Sequence, residues 1–495
     1  ALYIEAKETR KNILGENHPD YARSLNNLAT LYEAMGLYKK AEPLFLSSAD
    51  IIIKNLKKTF SILSEKEKEN YLVNNISLMD INNSLLYKYK KGSSSLLIGN
   101  YNLIIFFKSL SLADTRMMLE SVNKIKDSTI QNVYKAWQSN KSLLAKQYSL
   151  PFDKRIQKLE SIEVKAEALE KELALKSSEF RIQQKKINIS ITDVQNNLQQ
   201  DEVAIEFVRF RLYTKKWTDS IIYAAYILRK NDSVPVFVPI CEEKQLGKYF
   251  SSTAGSSNIK TIYRSDPMDE DDKPSISGDS LYALVWKPLL PYLKGINKID
   301  YSPAGLLYKI AFHALPAGDS SLLMDKYELN QYTSIRQLAI QDEKKENNNS
   351  IALFGNCLFS MDSNTVVKNI PADEKANILI TAIVNRGDNA GGWNQLEGTA
   401  NEITSIKSLF DQHKFTTGLY EQESATEEQF KSLSGNPPTI LHLATHGFFL
   451  PDPVKKKQEG FEADNRNAFT LADDPLLRSG IVLSGANRVW SGQPP

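Results

Sequence analysis

The residues whose types and spacing best suit chemistry are His446 and Gly447, in the segment Thr439-Ile-Leu-His-Leu-Ala-Thr-His-Gly-Phe-Phe449. The apolar run 440–445 reads as a buried strand that ends at His446. In an open α/β sheet, functional groups gather outside the carboxyl ends of the strands. An imidazole at such an edge suits proton transfer near neutral pH. Gly447 lets the chain turn sharply. A glycine also leaves its backbone N–H open to a ligand atom, as an oxyanion hole requires. On a pleated strand His442, Ala444 and His446 share one face. His442 lies deeper and reads as a structural histidine. By position alone His446 is equally a satisfied strand-end residue or a participant in catalysis.

Few other residues compete. The chain has 5 histidines and 2 cysteines in 495 residues. Two cysteines exclude a disulfide scaffold and a Cys-rich metal site, and they fit a reducing compartment. Cys357 and Cys241 each end an apolar run and read as buried thiols. His313 lies in a turn before Pro316, and His18 and His413 read as surface residues. His442 and His446, four apart on a strand, are too distant to share one ion. No metal and no cofactor is expected. Gly391-Gly392 precedes Trp393 rather than opening a helix, so no phosphate loop is expected either.

These groups need a frame, and the length predicts two to four domains. With 42% hydrophobic and 24% charged residues, the chain buries cores and is not disordered. A net charge of +2 argues against a general nucleic-acid or membrane-surface binder. The most apolar stretch, 96–107, is broken by Asn100 and Asn102 and is shorter than a membrane span. A cytoplasmic protein is expected.

Residues 1–58 read as helical repeat. Leu25, Leu28, Ala29, Tyr32, Ala41 and Phe45 fall at the large, small and aromatic positions of a tetratricopeptide repeat, with Gly36-Leu37 as the turn. Asp20 is placed to cap the helix that follows His18-Pro19. Either further repeats precede Ala1 or the next helices cap the stack. Residues 59–198 read as helical, with a capping box at Ser64-x-x-Glu67. A stripe of Leu159, Ile162, Ala166, Leu169 and Leu173 suggests a hairpin against 133–144. Residues 199–495 form the third region, in halves of 199–340 and 350–495. Strands are expected at 204–210, 221–228, 234–240, 298–302, 332–335, 351–354, 440–444 and 481–483, with a helix at 400–411. That alternation predicts an α/β fold with a mostly parallel sheet covered on both faces. An acidic loop at 266–272 and a linker at 341–350 interrupt it.

Several segments together resemble the CHAT domain, a caspase-like domain often fused to tetratricopeptide repeats. They are Tyr301-Ser-Pro-Ala-Gly-Leu-Leu307 with His313-Ala-Leu-Pro316, Ile351-Ala-Leu-Phe-Gly-Asn-Cys357, and Leu396-Glu-Gly-Thr-Ala-Asn-Glu-Ile403 before Leu409-Phe410. Thr426 with Phe430, the Thr-His-Gly at 445–447, and Pro475-Leu-Leu-Arg-Ser-Gly-Ile-Val-Leu-Ser-Gly-Ala-Asn487 with Trp490 complete the set. The resemblance spans roughly residues 190–495.

The resemblance implies a Cys–His dyad, with His446 as general base and acid and the Gly447 N–H in the oxyanion hole. The cysteine does not carry over. Caspase-type spacing of about 50 residues places it past Pro495. A chain that opens on Ala1 and closes on Pro495 is therefore expected to be a fragment, inactive without its nucleophile. Two functions remain. One is a cysteine endopeptidase acting on a protein or peptide and regulated through a partner or ligand on the repeat region. The alternative is a non-catalytic scaffold for protein–protein interaction. Glu397, Asp473, Asp474 and Arg478 are candidates to line a specificity pocket and, being of both signs, do not choose a substrate.

Overall fold

The computed structural model describes residues 1–59, 63–89, 93–108, 125–148, 158–177, 189–250, 278–317, 321–340, 349–361, 392–449 and 479–487, with residues 118, 119, 121, 122 and 156 between them. The acidic loop at 266–272, most of the 341–350 linker, Asp473, Asp474, Arg478 and Trp490 lie outside them. The chain divides into two compact units. One comprises residues 1–133 and 170–342, and the other comprises 134–169 and 343–495.

The first unit opens with α1 (Leu2–Leu14), α2 (Pro19–Ala34) and α3 (Tyr38–Thr59). Ala29, Ala41 and Phe45 are fully buried, and Gly36 turns the chain at φ 73° between α2 and α3. Small residues at the crossing and an aromatic beside them are what closely packed antiparallel helices need. Asp20 does not cap α2. His18 is the cap residue, and its Nδ1 accepts the Asp20 N–H at 3.1 Å. Pro19 takes the first helical position, so the cap falls one residue before it. The Asp20 carboxylate instead receives Arg23 at 2.9 Å.

The repeat is capped on its C-terminal side by α4 (Glu65–Lys88) and α5 (Ser94–Phe107). Ser64 and Glu67 form the expected reciprocal box at 3.2 and 3.0 Å. The apolar stretch 96–107 is this second helix. It is apolar around most of its circumference because it is enclosed. Its buried Asn100 donates to Asn83 at 2.8 Å and to the Tyr226 hydroxyl at 2.6 Å. No helix among the described residues is long and apolar enough to cross a membrane.

Against these helices lies a five-stranded sheet of order β3-β2-β1-β4-β5. Its strands are β1 (Glu202–Tyr213), β2 (Trp217–Arg229), β3 (Val236–Glu242), β4 (Lys298–Ser302) and β5 (Glu328–Gln331). The β1-β2-β3 meander is antiparallel, and β4 and β5 continue the sheet in parallel from β1. Ala204, Val208 and Phe210 face one core shared with Ala29, Phe45 and Tyr101. Val203, Ile205 and Phe207 face a second core with Trp286 and Phe312. The repeat, its capping helices and this sheet thus share one apolar interior. The expected strand at 332–335 is absent. β5 ends at Gln331 because Glu206 captures the next groups, accepting from Ser334 Oγ at 3.2 Å and from Ile335 N–H at 2.8 Å.

Two further helices are α6 (Ser128–Tyr148) and α7 (Leu159–Lys176). The second unit contains a wholly parallel sheet of order β7-β6-β8. Its strands are β6 (Ser350–Cys357), β7 (Thr416–Gln422) and β8 (Ile440–Leu443). Helix α8 (Gly398–Gln412) precedes β7 and packs on the face of β6 carrying Ile351 and Leu353, where Ile403 is fully buried. Gly355 permits this approach, since a Cβ there would lie 2.7 Å from Ile403. The other face carries Ala352, Phe354 and Cys357 against Phe359, Phe430 and Val482. The central strand β6 is covered on both sides, as a run such as Ile-Ala-Leu-Phe demands, while β7 and β8 are partly exposed.

Candidate active site

β6 and β7 end together at Cys357 and Gln422, β8 ends earlier, opposite Phe354, and the chain beyond β8 carries the candidate residues. β8 stops at Leu443, earlier than the expected 444–445, although the Ala444 N–H still bonds the Phe354 carbonyl at 2.7 Å. The strand is only partly buried, with Leu441 exposed, where a buried strand was expected. His446 therefore sits off the strand, and the alternation that placed it beside His442 ends before it. His442 stays on the α8 side and pairs with Glu402 at 3.0 Å. His446 turns to the opposite cluster, between Phe359 and Trp393, with ring centroids 5.2 and 5.0 Å away.

The His446 Nε2 lies 2.8 Å from the backbone carbonyl of Asn394. A carbonyl oxygen only accepts, so Nε2 carries the proton. In the neutral ring Nδ1 then holds the free lone pair, which is the form a general base needs.

Gly447 begins β9 (Gly447–Phe449), which pairs antiparallel with β10 (Ser479–Ile481), Gly447 facing Ile481. Its φ is not left-handed, and a Cβ there would make ordinary contact with the Gly480 carbonyl at 3.4 Å. The sharp turn expected of Gly447 is therefore not what the position demands. Its N–H is more informative. Val482 N–H donates to the His446 carbonyl at 2.8 Å, so Gly447 and Ile481 form a non-hydrogen-bonded pair. In such a pair the N–H points away from the neighbouring strand.

Both cysteines are buried and reduced. Cys357 ends β6 in the core. Burial pushes its thiol up, against hydrogen bonds from Thr445 and Ser484. Cys241 lies on β3, where burial and the nearby Glu243 raise it to about 12. Neither environment favours a thiolate. His313 bonds the Leu329 carbonyl at 2.9 Å, and His413 ends α8. Glu397 is exposed at the N-terminus of α8. Among the described residues no group of three or more His, Cys, Asp or Glu is placed to hold a metal ion.

Sequence reasoning missed the groups that hold His446. Asn394 acts through a backbone carbonyl, which no residue type announces. Trp393 and Asn487 were visible only as parts of motifs.

A mostly parallel sheet flanked by helices is consistent with a caspase-like α/β fold. The family model for the CHAT domain matches residues 275–493, and that for a tetratricopeptide repeat matches residues 1–54. A tetratricopeptide repeat at 1–54 thus precedes a CHAT domain at 275–493, a domain of the caspase-like kind. No curated protein matches it.

Proposed function

We propose that the chain is the histidine-bearing part of a caspase-type cysteine endopeptidase whose CHAT domain runs from about residue 199. The observation that carries this reading is the Nε2-protonated His446, next to a glycine whose N–H is turned from its strand partner. In the reaction, Nδ1 of His446 takes the proton of a thiol, and the thiolate adds to the scissile carbonyl carbon. The Gly447 N–H donates to the oxyanion that forms. As the C–N bond breaks, the imidazolium returns the proton to the leaving amine. Water, deprotonated by the same imidazole, then releases the acyl group from sulfur. The thiol comes from outside these 495 residues, because Cys357 and Cys241 are buried and held protonated. The repeat region binds a partner protein that regulates cleavage. Its core is continuous with the CHAT strands β1 and β2, so a partner that changes helix packing reaches the sheet directly.

The test is cleavage of a partner protein by the complete gene product. His446→Ala is expected to lower the rate by about 10²–10⁴-fold, the usual worth of a general acid–base group. Undiminished cleavage by that variant overturns the role of His446. The second reading, a scaffold without chemistry, is favoured by the absence of an accessible thiol among the described residues. Partner binding with no cleavage by the complete wild-type protein selects it.

A further inference from the structure

The segment after β10 carries Asn487, whose side chain and backbone grip both walls of the His446 site. Its Oδ1 accepts the Trp393 N–H at 2.6 Å, and its Nδ2 donates to the Trp393 carbonyl at 2.9 Å. The same Nδ2 donates to Ser360 Oγ at 2.9 Å, and the Asn487 N–H donates to the Phe359 carbonyl at 2.9 Å. One residue thus fixes the backbones of Phe359 and Trp393, the two rings that flank His446. The next carbonyl after Trp393, that of Asn394, takes the His446 Nε2–H. Gly392 leads into this clamp at φ 77°, where a Cβ would lie 2.8 Å from the Asn487 Oδ1. The glycine is required both by the backbone angle and by the closeness of the amide.

We propose that Asn487 is a positioning residue that sets the tautomer and orientation of His446 through the backbone of Trp393 and Asn394. This rests on the reading of His446 as the general base. An amide is suited to the task because it offers a donor and an acceptor side by side, matching the N–H and C=O of one residue. Asp keeps the acceptor and loses the donor, and Ala loses both.

The experiment is ¹⁵N-histidine NMR of the 495-residue chain. His446 is assigned by the signal lost in His446→Gln, and the other four histidines report on the fold. In the wild type, the His446 Nε2–H is expected as a slowly exchanging signal with Nδ1 unprotonated. In Asn487→Ala that signal is expected to disappear and the two ring nitrogens to shift toward the values of a free tautomer mixture, the other four histidines staying in place. Should the alanine variant fail to fold, Asn487→Asp is expected to give the same loss. His446 signals unchanged in a folded variant overturn the proposal. In the complete protein the expected companion effect is about a 10²-fold fall in kcat with KM within about twofold, as for a misplaced base. If cleavage proves independent of His446, the reading of the base fails, while the NMR result still decides whether Asn487 positions the ring.

Discussion

The Nε2–H of His446 meets the carbonyl of Asn394 at 2.8 Å, and it is this bond that leaves Nδ1 free to act as a base. The partner is a backbone atom, so no substitution at Asn394 removes it directly. The proposed chemistry is therefore best probed through neighbouring groups whose removal changes one function at a time.

Gly447 separates its N–H from its size. Gly447→Ala adds a Cβ at ordinary contact distance from the Gly480 carbonyl and keeps the N–H. It is expected to leave the cleavage rate of the complete protein within about threefold of the wild type. Gly447→Pro removes an N–H that the β9–β10 ladder does not use, so the pairing survives. Its expected effect is a fall of about 10²–10³-fold in kcat, the worth of one oxyanion donor. Equal activity of the two variants in a cleavage assay, with matching thermal stability, removes Gly447 from the oxyanion hole.

The thiols give a second prediction. Thiolate is the reactive form, and its fraction falls tenfold for each unit of pKa rise. Cys241 sits at about 12 and Cys357 is raised by its burial. Cys241 is expected to react with iodoacetamide at pH 7.5 at least about 10²-fold more slowly than free cysteine, and Cys357 more slowly than free cysteine. Mass spectrometry of the labelled native protein checks this. Rapid labelling of Cys357 contradicts its place in the core.

Asp300 on β4 and Glu202 on β1 influence each other's protonation in the first unit. Burial, then the hydrogen bond with Glu202, raises the Asp300 carboxyl to about 7, while the nearby Asn330 and Lys298 oppose the rise. Glu202 is held below its usual range, because hydrogen bonds from Asp300 and Lys298 outweigh its own burial. Asp300 therefore binds a proton in the folded state that it lacks when unfolded. Stability then falls as pH rises through about 7. From pH 5 to 7 the expected loss is roughly 1–2 kcal/mol. Asp300→Asn keeps an N–H for Glu202 and removes the titration, so its urea stability is expected to be flat over that window. An unchanged slope in the variant argues against a proton held by Asp300 in the folded state.

Phe45 belongs to the repeat, yet its core continues into β1 and β2. Phe45→Ala is expected to cost about 3–5 kcal/mol. Because the interior is shared, amide exchange of β1 is expected to accelerate along with that of α3. Protection of β1 that is unchanged in the variant identifies the repeat as an independent folding unit.

Much of the frame was legible from short patterns. The Leu-Ala-Tyr and Ala-Phe spacing placed α2 and α3 through the need for small residues at a helix crossing. Ser64 and Glu67 announced the start of α4, and the Ile-Ala-Leu-Phe run announced a strand buried on both faces. What these patterns share is locality, since each is written in residues a few positions apart. The strand expected at 332–335 shows the limit. Its propensity was overridden by Glu206, more than a hundred residues away, which captured the backbone that a ladder would have used.

The site divides in the same way. The residue types at 446 and 447 announced an imidazole and a bare backbone N–H just beyond the end of a strand. The tertiary structure alone decided which nitrogen of that imidazole carries the proton and which way that N–H points. Those properties belong to bonds with Asn394 and to the pairing with Ile481, partners 52 and 34 positions away. A side chain carries its chemistry in the sequence, but its protonation and direction are set by neighbours that only folding brings within hydrogen-bond reach.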